Sequence, residues 1–228
     1  MASDAVIFDL DGCLVDSEPH SLEAVAAEMR RLGVRDATAE EIGARFLGVS
    51  MSVICDHVST RLGAACPPDF PDRVEVRLFA AYRSSLAVMP GALGLLGAVD
   101  EAGLRKAIAT GGSPSRMRRT LEMSGLEARF RDRAFSAAQV KRGKPAPDLF
   151  LFCARQLGVA PRSCVVFEDS PHGVAGAAEA GMRVIGFIGG SHLDDRRETH
   201  AKDLLAAGAE RVLYSLDEGM AAIGAEAQ

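Results

Sequence analysis

Apolar residues fall in two kinds of run along the chain. Short, near-continuous ones recur at Ala5-Val6-Ile7-Phe8, Ala107-Ile108-Ala109, Cys164-Val165-Val166-Phe167 and Val184-Ile185-Gly186-Phe187-Ile188. Their brevity, β-branched content and polar or glycine stops predict buried strands. Val212-Leu213-Tyr214 predicts a weaker one. Strands that are apolar throughout imply a parallel sheet covered on both faces by helices. Helical spacing fills the gaps. Ser113 to Met123 opens on Ser-Pro, an N-cap followed by proline at the first helical position. Pro147 to Leu157 and Val174 to Ala180 share the helical pattern. This alternation predicts an α/β fold with a doubly wound, Rossmann-like parallel sheet.

The stretch between the first two strands differs. Leu22, Val25, Ala26 and Met29 repeat at helical spacing, as do Val74, Leu78, Phe79 and Tyr82, and no strand pattern is visible. Gly33, Gly48, Gly63 and Cys66-Pro67-Pro68 punctuate it. The expected organisation is a core made of residues 1–15 and 87–228, interrupted by a helical domain over 16–86. Leu14 to Asp16 and Leu86 to Pro90 would be its two hinges.

Composition narrows the function class. A chain of 228 residues with 48% apolar and 25% charged residues is an ordinary globular balance, long enough to bury a core without disulfides or metal. No run of about 18 apolar residues is present to span a membrane. A net charge of −5 argues against a nucleic-acid scaffold. The local run Arg116, Arg118, Arg119, Arg129, Arg131 and Arg133 is interrupted by acids and reads as a solvated helix face. Five cysteines, an odd number with no CxxC, indicate reduced thiols. The start Met1-Ala2-Ser3-Asp4 lacks the basic opening of a signal peptide. Together these lead to a cytoplasmic expectation.

In a doubly wound sheet, ligands bind beyond the carboxyl ends of the strands. The polar residues that follow the predicted strands are Asp9 and Asp11, then Thr110, then Glu168 and Asp169, so all would converge on one rim. Carboxylates brought together repel and call for a cation. An all-oxygen donor set without His or Cys selects Mg²⁺, which commonly shares its shell with substrate phosphate and water. Lys144, placed before a helix and followed by Pro145 and Pro147, which fix its approach, would add a phosphate contact. Backbone N–H groups of Thr110 to Gly112, at a helix start, would add donors. A carboxylate at Asp9 could then attack phosphorus.

Asp9-Leu10-Asp11-Gly12, Thr110, Lys144 and Glu168-Asp169 resemble, in order, the four motifs of the haloacid dehalogenase-like superfamily. The helical insert after the first motif resembles the type-1 cap of its phosphoglycolate-phosphatase-like and β-phosphoglucomutase-like members. The resemblance covers essentially the whole chain. It implies Asp9 as nucleophile and Mg²⁺ ligand. Asp11 would be the general acid/base, its backbone carbonyl on the metal. Thr110, Gly111 and Lys144 would hold the phosphoryl group. Asp169 would bind Mg²⁺ directly, and Glu168 through water or through Lys144. The partner would be a small phosphorylated metabolite. Cys13 reads as a small apolar filler, and His20, His172 and His192 as surface or supporting residues.

Arg45-Phe46-Leu47-Gly48-Val49-Ser50 resembles the cap loop that closes on substrate, which makes Arg45, Gly48 and Ser50 candidate substrate contacts. Mutase-like relatives usually carry an arginine after that serine and a histidine shortly after the Asp-x-x segment. Here those positions are Met51 and Ser21. Residues 16–86 contain no lysine, against a Schiff-base phosphonate hydrolase. The leading expectation is a phosphatase for a small sugar, polyol or organic-acid phosphate that works through an aspartyl-phosphate. A sugar phosphomutase is the alternative.

Overall fold

In the computed structural model, residues 3–224 are described; Met1 and Ala2, part of the start discussed above, lie outside them. The elements run in the order β1 (Ala5–Phe8), α1 (Glu18–Arg31), α2 (Ala39–Phe46), α3 (Met51–Leu62), α4 (Phe70–Ser85), α5 (Ala92–Glu101), β2 (Arg105–Thr110), α6 (Pro114–Ser124), α7 (Glu127–Phe130) and β3 (Ala134–Ser136). They continue with α8 (Asp148–Leu157), β4 (Cys164–Glu168), α9 (Pro171–Glu179), β5 (Arg183–Phe187), α10 (Arg197–Ala207), β6 (Arg211–Leu213) and α11 (Gly219–Ile223). The six strands form one parallel sheet ordered β3-β2-β1-β4-β5-β6.

Alternate residues of β1 serve opposite faces. Val6 and Phe8 enter a core shared with Leu96, Val99 and Phe130. Ala5 and Ile7 enter one shared with Phe150, Cys153 and Val174. Burial on both faces is why β1 shows no polar alternation. Phe8 and Phe167 are register partners in neighbouring strands, and their rings stack 5.2 Å apart. That pair holds the ends of β1 and β4 level, directly before Asp9 and Glu168. The strand order reverses between β1 and β4, so the crevice of the fold opens where those acids emerge.

The predicted strands are all present, within a residue or two. Helix α6 has Ser113 as its N-cap, accepting a hydrogen bond from the Arg116 backbone N–H. Edge strand β3 and helices α5 and α10 have no counterpart in the sequence pattern. β3 has three residues, too few to register a period. The α10 sequence lacks a clear apolar stripe, and it buries only His200 and Leu204.

Helices α1–α4 build a separate apolar cluster around Val25, Met29, Ile42, Val58, Phe70 and Leu78. The chain enters and leaves this layer through two adjacent segments. Asp16 N–H donates to Ala87 O, and Met89 N–H to Leu14 O, each at 2.9 Å. A buried ion cluster ties the layer together. Glu28, 1% exposed, accepts from Arg31 at 2.5 Å, from Arg73 at 3.0 Å and from Arg77. Burial opposes its ionisation, but the three guanidinium groups outweigh it and lower its pKa from 4.5 to about 2. A depressed carboxylate pKa stabilises the fold above the unfolded value, and that gain is lost as pH falls through the folded one. Because the arginines are half-exposed, the expected contribution is about 1–2 kcal/mol. Glu28→Gln should therefore lose that amount in urea unfolding at pH 7. The gap from wild type should close between pH 4.5 and about 2. A gap that does not change with pH would assign the loss to packing instead.

Among the described residues, no helix is long and apolar enough to cross a membrane. All five cysteines are unpaired.

Candidate active site

The loop after β1 doubles back at once. Gly12 adopts φ 84°, and a Cβ there would collide with the Asp169 carboxylate. Only glycine allows both the turn and the close approach of the two acidic loops. Asp9 N–H donates to Phe167 O at 2.9 Å, anchoring the loop to β4. Asp9, Asp11, Thr110, Lys144, Glu168 and Asp169, drawn from four separate stretches of sequence, are all buried on this rim.

Lys144 is the hub of the inner half. Its Nζ donates to Asp9 Oδ1 at 2.5 Å and to Glu168 Oε1. Burial alone would discharge the ammonium, but Asp9 and Glu168 hold it charged, above the usual lysine value. Glu168 also accepts from Ser170 N–H at 3.0 Å. Its carboxylate is therefore spent on positioning Lys144 and the β4–α9 turn. Burial pushes the Asp9 carboxyl well above the usual range. Lys144 opposes this, while Glu168, Asp169 and Asp11 add to it. Cys13 is fully buried and its thiol is pushed well up by burial, then by Asp9, so it acts as an inert filler.

Asp11 occupies the outer half. Its Oδ1 accepts from Ser17 Oγ at 2.7 Å, and its Oδ2 from Thr110 Oγ1 at 3.3 Å. Thr110 Oγ1 in turn accepts from Gly112 N–H at 3.0 Å, which curls the loop into the start of α6. The position of Arg116 corrects the solvated-face reading of the basic run. Its Nη2 lies 2.9 Å from Asp11 Oδ1 and 3.6 Å from Glu18 Oε1, and its Nη1 donates to Ser21 Oγ at 3.0 Å. Arg116 sits in the first turn of a helix that follows β2, which puts it on the ligand rim; the Ser113-Pro114 start was the available signal. Glu18 was also unassigned. Burial raises its pKa to about 7 despite Arg116, with Asp11 and Asp169 adding.

The chemistry of a cation fits these residues. Asp169 Oδ2 is buried without a hydrogen-bond partner, and His192 Nε2 lies 3.2 Å from it. Asp9 and Asp169 would provide carboxylate oxygens and Asp11 its main-chain carbonyl. Among the described residues, no group of three or more His, Cys, Asp and Glu side chains forms a ready-made cage. A hard cation that completes its shell with phosphate and water needs none. His192, read as surface or supporting, has a buried imidazole beside Asp169. His200 hydrogen-bonds the Asp169 carbonyl through Nε2 at 2.6 Å.

The α2–α3 loop closes over this rim. Gly48 has φ 75°, and a Cβ there would strike Ser170 Oγ. A Cβ on Gly111 would lie 2.9 Å from Gly48 O. Two glycines thus let the loop touch the backbone that follows β2. On one flank Ser115 Oγ donates to Glu75 at 2.8 Å, and on the other Arg196 Nη2 donates to Gly43 O at 3.3 Å. The space left between is about 40 Å³, room for no more than a few waters. Its wall includes Asp9, Asp11, Glu18, Thr110, Gly111 and Arg116. Gly48 lines it, but Arg45 and Ser50 do not. Arg45 is exposed, and Ser50 pairs its hydroxyl with Ser52 at 2.7 Å.

The arrangement offers a buried carboxylate beside a lysine, a second carboxylate two residues on, and N–H donors at a helix start. This suits attack on a phosphoryl group. Comparison with known proteins agrees. Residues 3–181 match the haloacid dehalogenase-like hydrolase family. Hexitol phosphatase A of Escherichia coli is 37% identical over 180 residues, 78% of this chain and 80% of that protein. The 6-phosphogluconate phosphatase of Escherichia coli is 29% identical over 190 residues, 83% of this chain and 84% of that one. A family hydrolase from Deinococcus radiodurans, solved with bound phosphate and sodium, superposes with a TM-score of 0.73. It is 34% identical, with 97% of this chain and 95% of that chain covered. On sequence match, fold and motif placement together, the chain belongs to the haloacid dehalogenase-like hydrolase family, in its phosphoglycolate-phosphatase and β-phosphoglucomutase-like group.

Proposed function

We propose that this hydrolase is a Mg²⁺-dependent phosphatase of small sugar or polyol phosphates, working through a phosphorylated Asp9. The observation that carries the reading is the buried Asp9–Lys144–Glu168 chain, set beside an Asp11 held by Ser17 and Thr110 on the same rim. The relatives' names, and the phosphate and sodium held by the Deinococcus radiodurans protein, support the substrate class and the cation.

In this reading Lys144 and the Thr110–Gly111 segment hold the phosphoryl oxygens. An Asp9 carboxylate oxygen attacks phosphorus as the ester P–O bond breaks. Asp11, in its acid form, gives its proton to the departing alkoxide. Asp11, now a carboxylate, takes a proton from a water that attacks the same phosphorus, and the bond to Asp9 breaks to free phosphate. Ser17 and Thr110 fix the direction in which Asp11 presents its oxygens. Mg²⁺, held by Asp9, Asp169 and the Asp11 carbonyl, would offset phosphoryl charge and allow Asp9 to stay ionised beside three other acids. Lys144 offsets charge that develops in the transition state.

Helices α1–α4 act as the cap, over residues 16–86. A 40 Å³ space does not hold a phosphorylated hexitol, so the cap opens to admit substrate and closes to exclude water. With Met51 and Ser21 in place of the arginine and histidine usual in mutases, hydrolysis is the better reading. Unpaired cysteines and the absence of a membrane-spanning helix among the described residues support action in the cytoplasm.

The test is phosphate release from phosphorylated sugars, polyols, sugar acids, glycolate and nucleotides, with Mg²⁺ and with EDTA. Sugar and polyol phosphates should turn over, EDTA should silence them, and Mg²⁺ should restore them. Full activity in EDTA would remove the metal from the reading. Isomerised sugar phosphate without net phosphate release would make the protein a mutase.

A further inference from the structure

Once Asp9, Thr110 and Lys144 are assigned to the transferring phosphoryl group, one polar cluster is left to face the rest of the substrate. It consists of Arg116, Glu18 and Ser21. The Arg116 side chain is 13% exposed, and its Nε and Nη2 have no hydrogen-bond partner, although Nη2 lies 2.9 Å from Asp11 Oδ1. The guanidinium lines the cavity beside Asp11 and Glu18, with Nε left over as a donor. Opposite them the cap wall is apolar, formed by Leu22, Val25, Ile42, Phe46, Val49 and Ile54.

The charge balance of this half-site is specific. Arg116 is matched by two carboxylates, Asp11 and Glu18. Among the described residues, no other cation lines the cavity. Arg45 is exposed and outside the wall, while Arg31, Arg73 and Arg77 are engaged with Glu28. His20 hydrogen-bonds Ser85, His57 faces Glu41, and residues 16–86 hold no lysine. A second anionic group on the substrate would therefore meet the Glu18 carboxylate and a cation already engaged by it and by Asp11. A hydroxyl can instead donate to Glu18 and accept from Arg116, while C–H faces rest on the apolar wall.

We propose that Arg116, Glu18 and Ser21 are specificity-determining residues that select an uncharged, hydroxyl-bearing leaving group and reject substrates with a second anion. The proposal rests on the phosphatase reading and sharpens it. It separates a neutral polyol phosphate from a phosphorylated sugar acid of the same length or a sugar bisphosphate.

The experiment compares kcat/KM of the wild-type enzyme, with Mg²⁺, on a hexitol 6-phosphate, the matching six-carbon 6-phosphoaldonic acid and a hexose bisphosphate. The neutral ester should be preferred by at least about 30-fold over either. Measured at pH 8, Glu18→Gln, which removes the opposing carboxylate, should narrow that ratio about tenfold or more, mainly through a lower KM for the phosphoaldonic acid. Arg116→Lys keeps the charge but loses the planar fork, and should raise KM for the hexitol ester more than it lowers kcat. Equal or better use of the phosphoaldonic acid by the wild-type enzyme overturns the proposal, and needs no variant to fold. An unchanged ratio in a folded Glu18→Gln also overturns it. Failure to hydrolyse any monoester would sink the phosphatase reading itself, whereas turnover without discrimination sinks the selectivity alone.

Discussion

Asp9→Asn should abolish phosphate release and at the same time stabilise the protein. The loss follows from removing the attacking oxygen's charge, since an amide is not a nucleophile toward phosphorus. A fall of at least about 10⁴-fold in kcat is expected. The gain follows from burial. Asp9 is packed among Glu168, Asp169 and Asp11, and its carboxyl is pushed well above 3.8. An acid whose folded pKa is raised costs stability once pH exceeds its unfolded value, and the full cost is felt above the folded value. The neutral, isosteric amide avoids that cost and still accepts from Lys144 through its oxygen. In EDTA at pH 8 the variant should melt a few degrees higher than wild type, as about 1–2 kcal/mol implies for a chain of this size. Retained turnover would remove Asp9 as nucleophile. A lower melting temperature would mean that the Asp9–Lys144 ion pair outweighs the crowding of acids.

Lys144→Met should lose on both counts. The ammonium is the buried cation between Asp9 and Glu168, and its removal leaves two acids facing each other in a dry site. Breaking such a pair from one side costs about 3 kcal/mol. The sign with pH is defined. Without Lys144 the two carboxyls rise further above their ordinary 3.8 and 4.5. The penalty is then full above their raised folded values and disappears below the unfolded ones. Urea unfolding at pH 8 and pH 4 should therefore show a large gap from wild type that narrows on acidification. Turnover should fall about 10³-fold, because a preorganised donor to the phosphoryl oxygens is gone. A gap as large at pH 4 as at pH 8 would point to lost packing against Phe150, whose ring centroid lies 5.5 Å from Nζ.

The two variants share a logic. A site that gathers four acids in the interior is strained without its cation and substrate. Lys144 offsets part of that strain, and on the proposed mechanism Asp9 bears the rest of it in exchange for reactivity.

Much of this was legible along the chain, for local reasons. Strands buried on both faces are apolar without interruption, so β1, β2, β4 and β5 announce themselves. In a parallel sheet each strand must end on the same rim, so the residues that follow them gather there whatever the helices do. That one rule brings Asp9, Asp11, Thr110, Glu168 and Asp169 together without any coordinates, and the Ser113-Pro114 start of α6 is equally local. What stayed hidden has no period and no neighbour in sequence. β3 is too short to repeat. Arg116 is one arginine among six until the fold turns it inward, because which face of α6 meets helices α1–α4 depends on how α4 packs against it. Glu18 and Ser21 become partners of Arg116 across about a hundred residues for the same reason. Arg45 shows the converse: its place in the cap loop suggested a substrate contact, and the direction of α2 leaves it in solvent. The sequence by itself determined the sheet, the rim on which the acids gather and the class of chemistry, since these depend on local pattern and on parallel strands ending together. Only the tertiary structure decided how helices α1–α4 meet the sheet layer, and so which charges line the cavity between them, because that contact is made by side chains far apart in the chain.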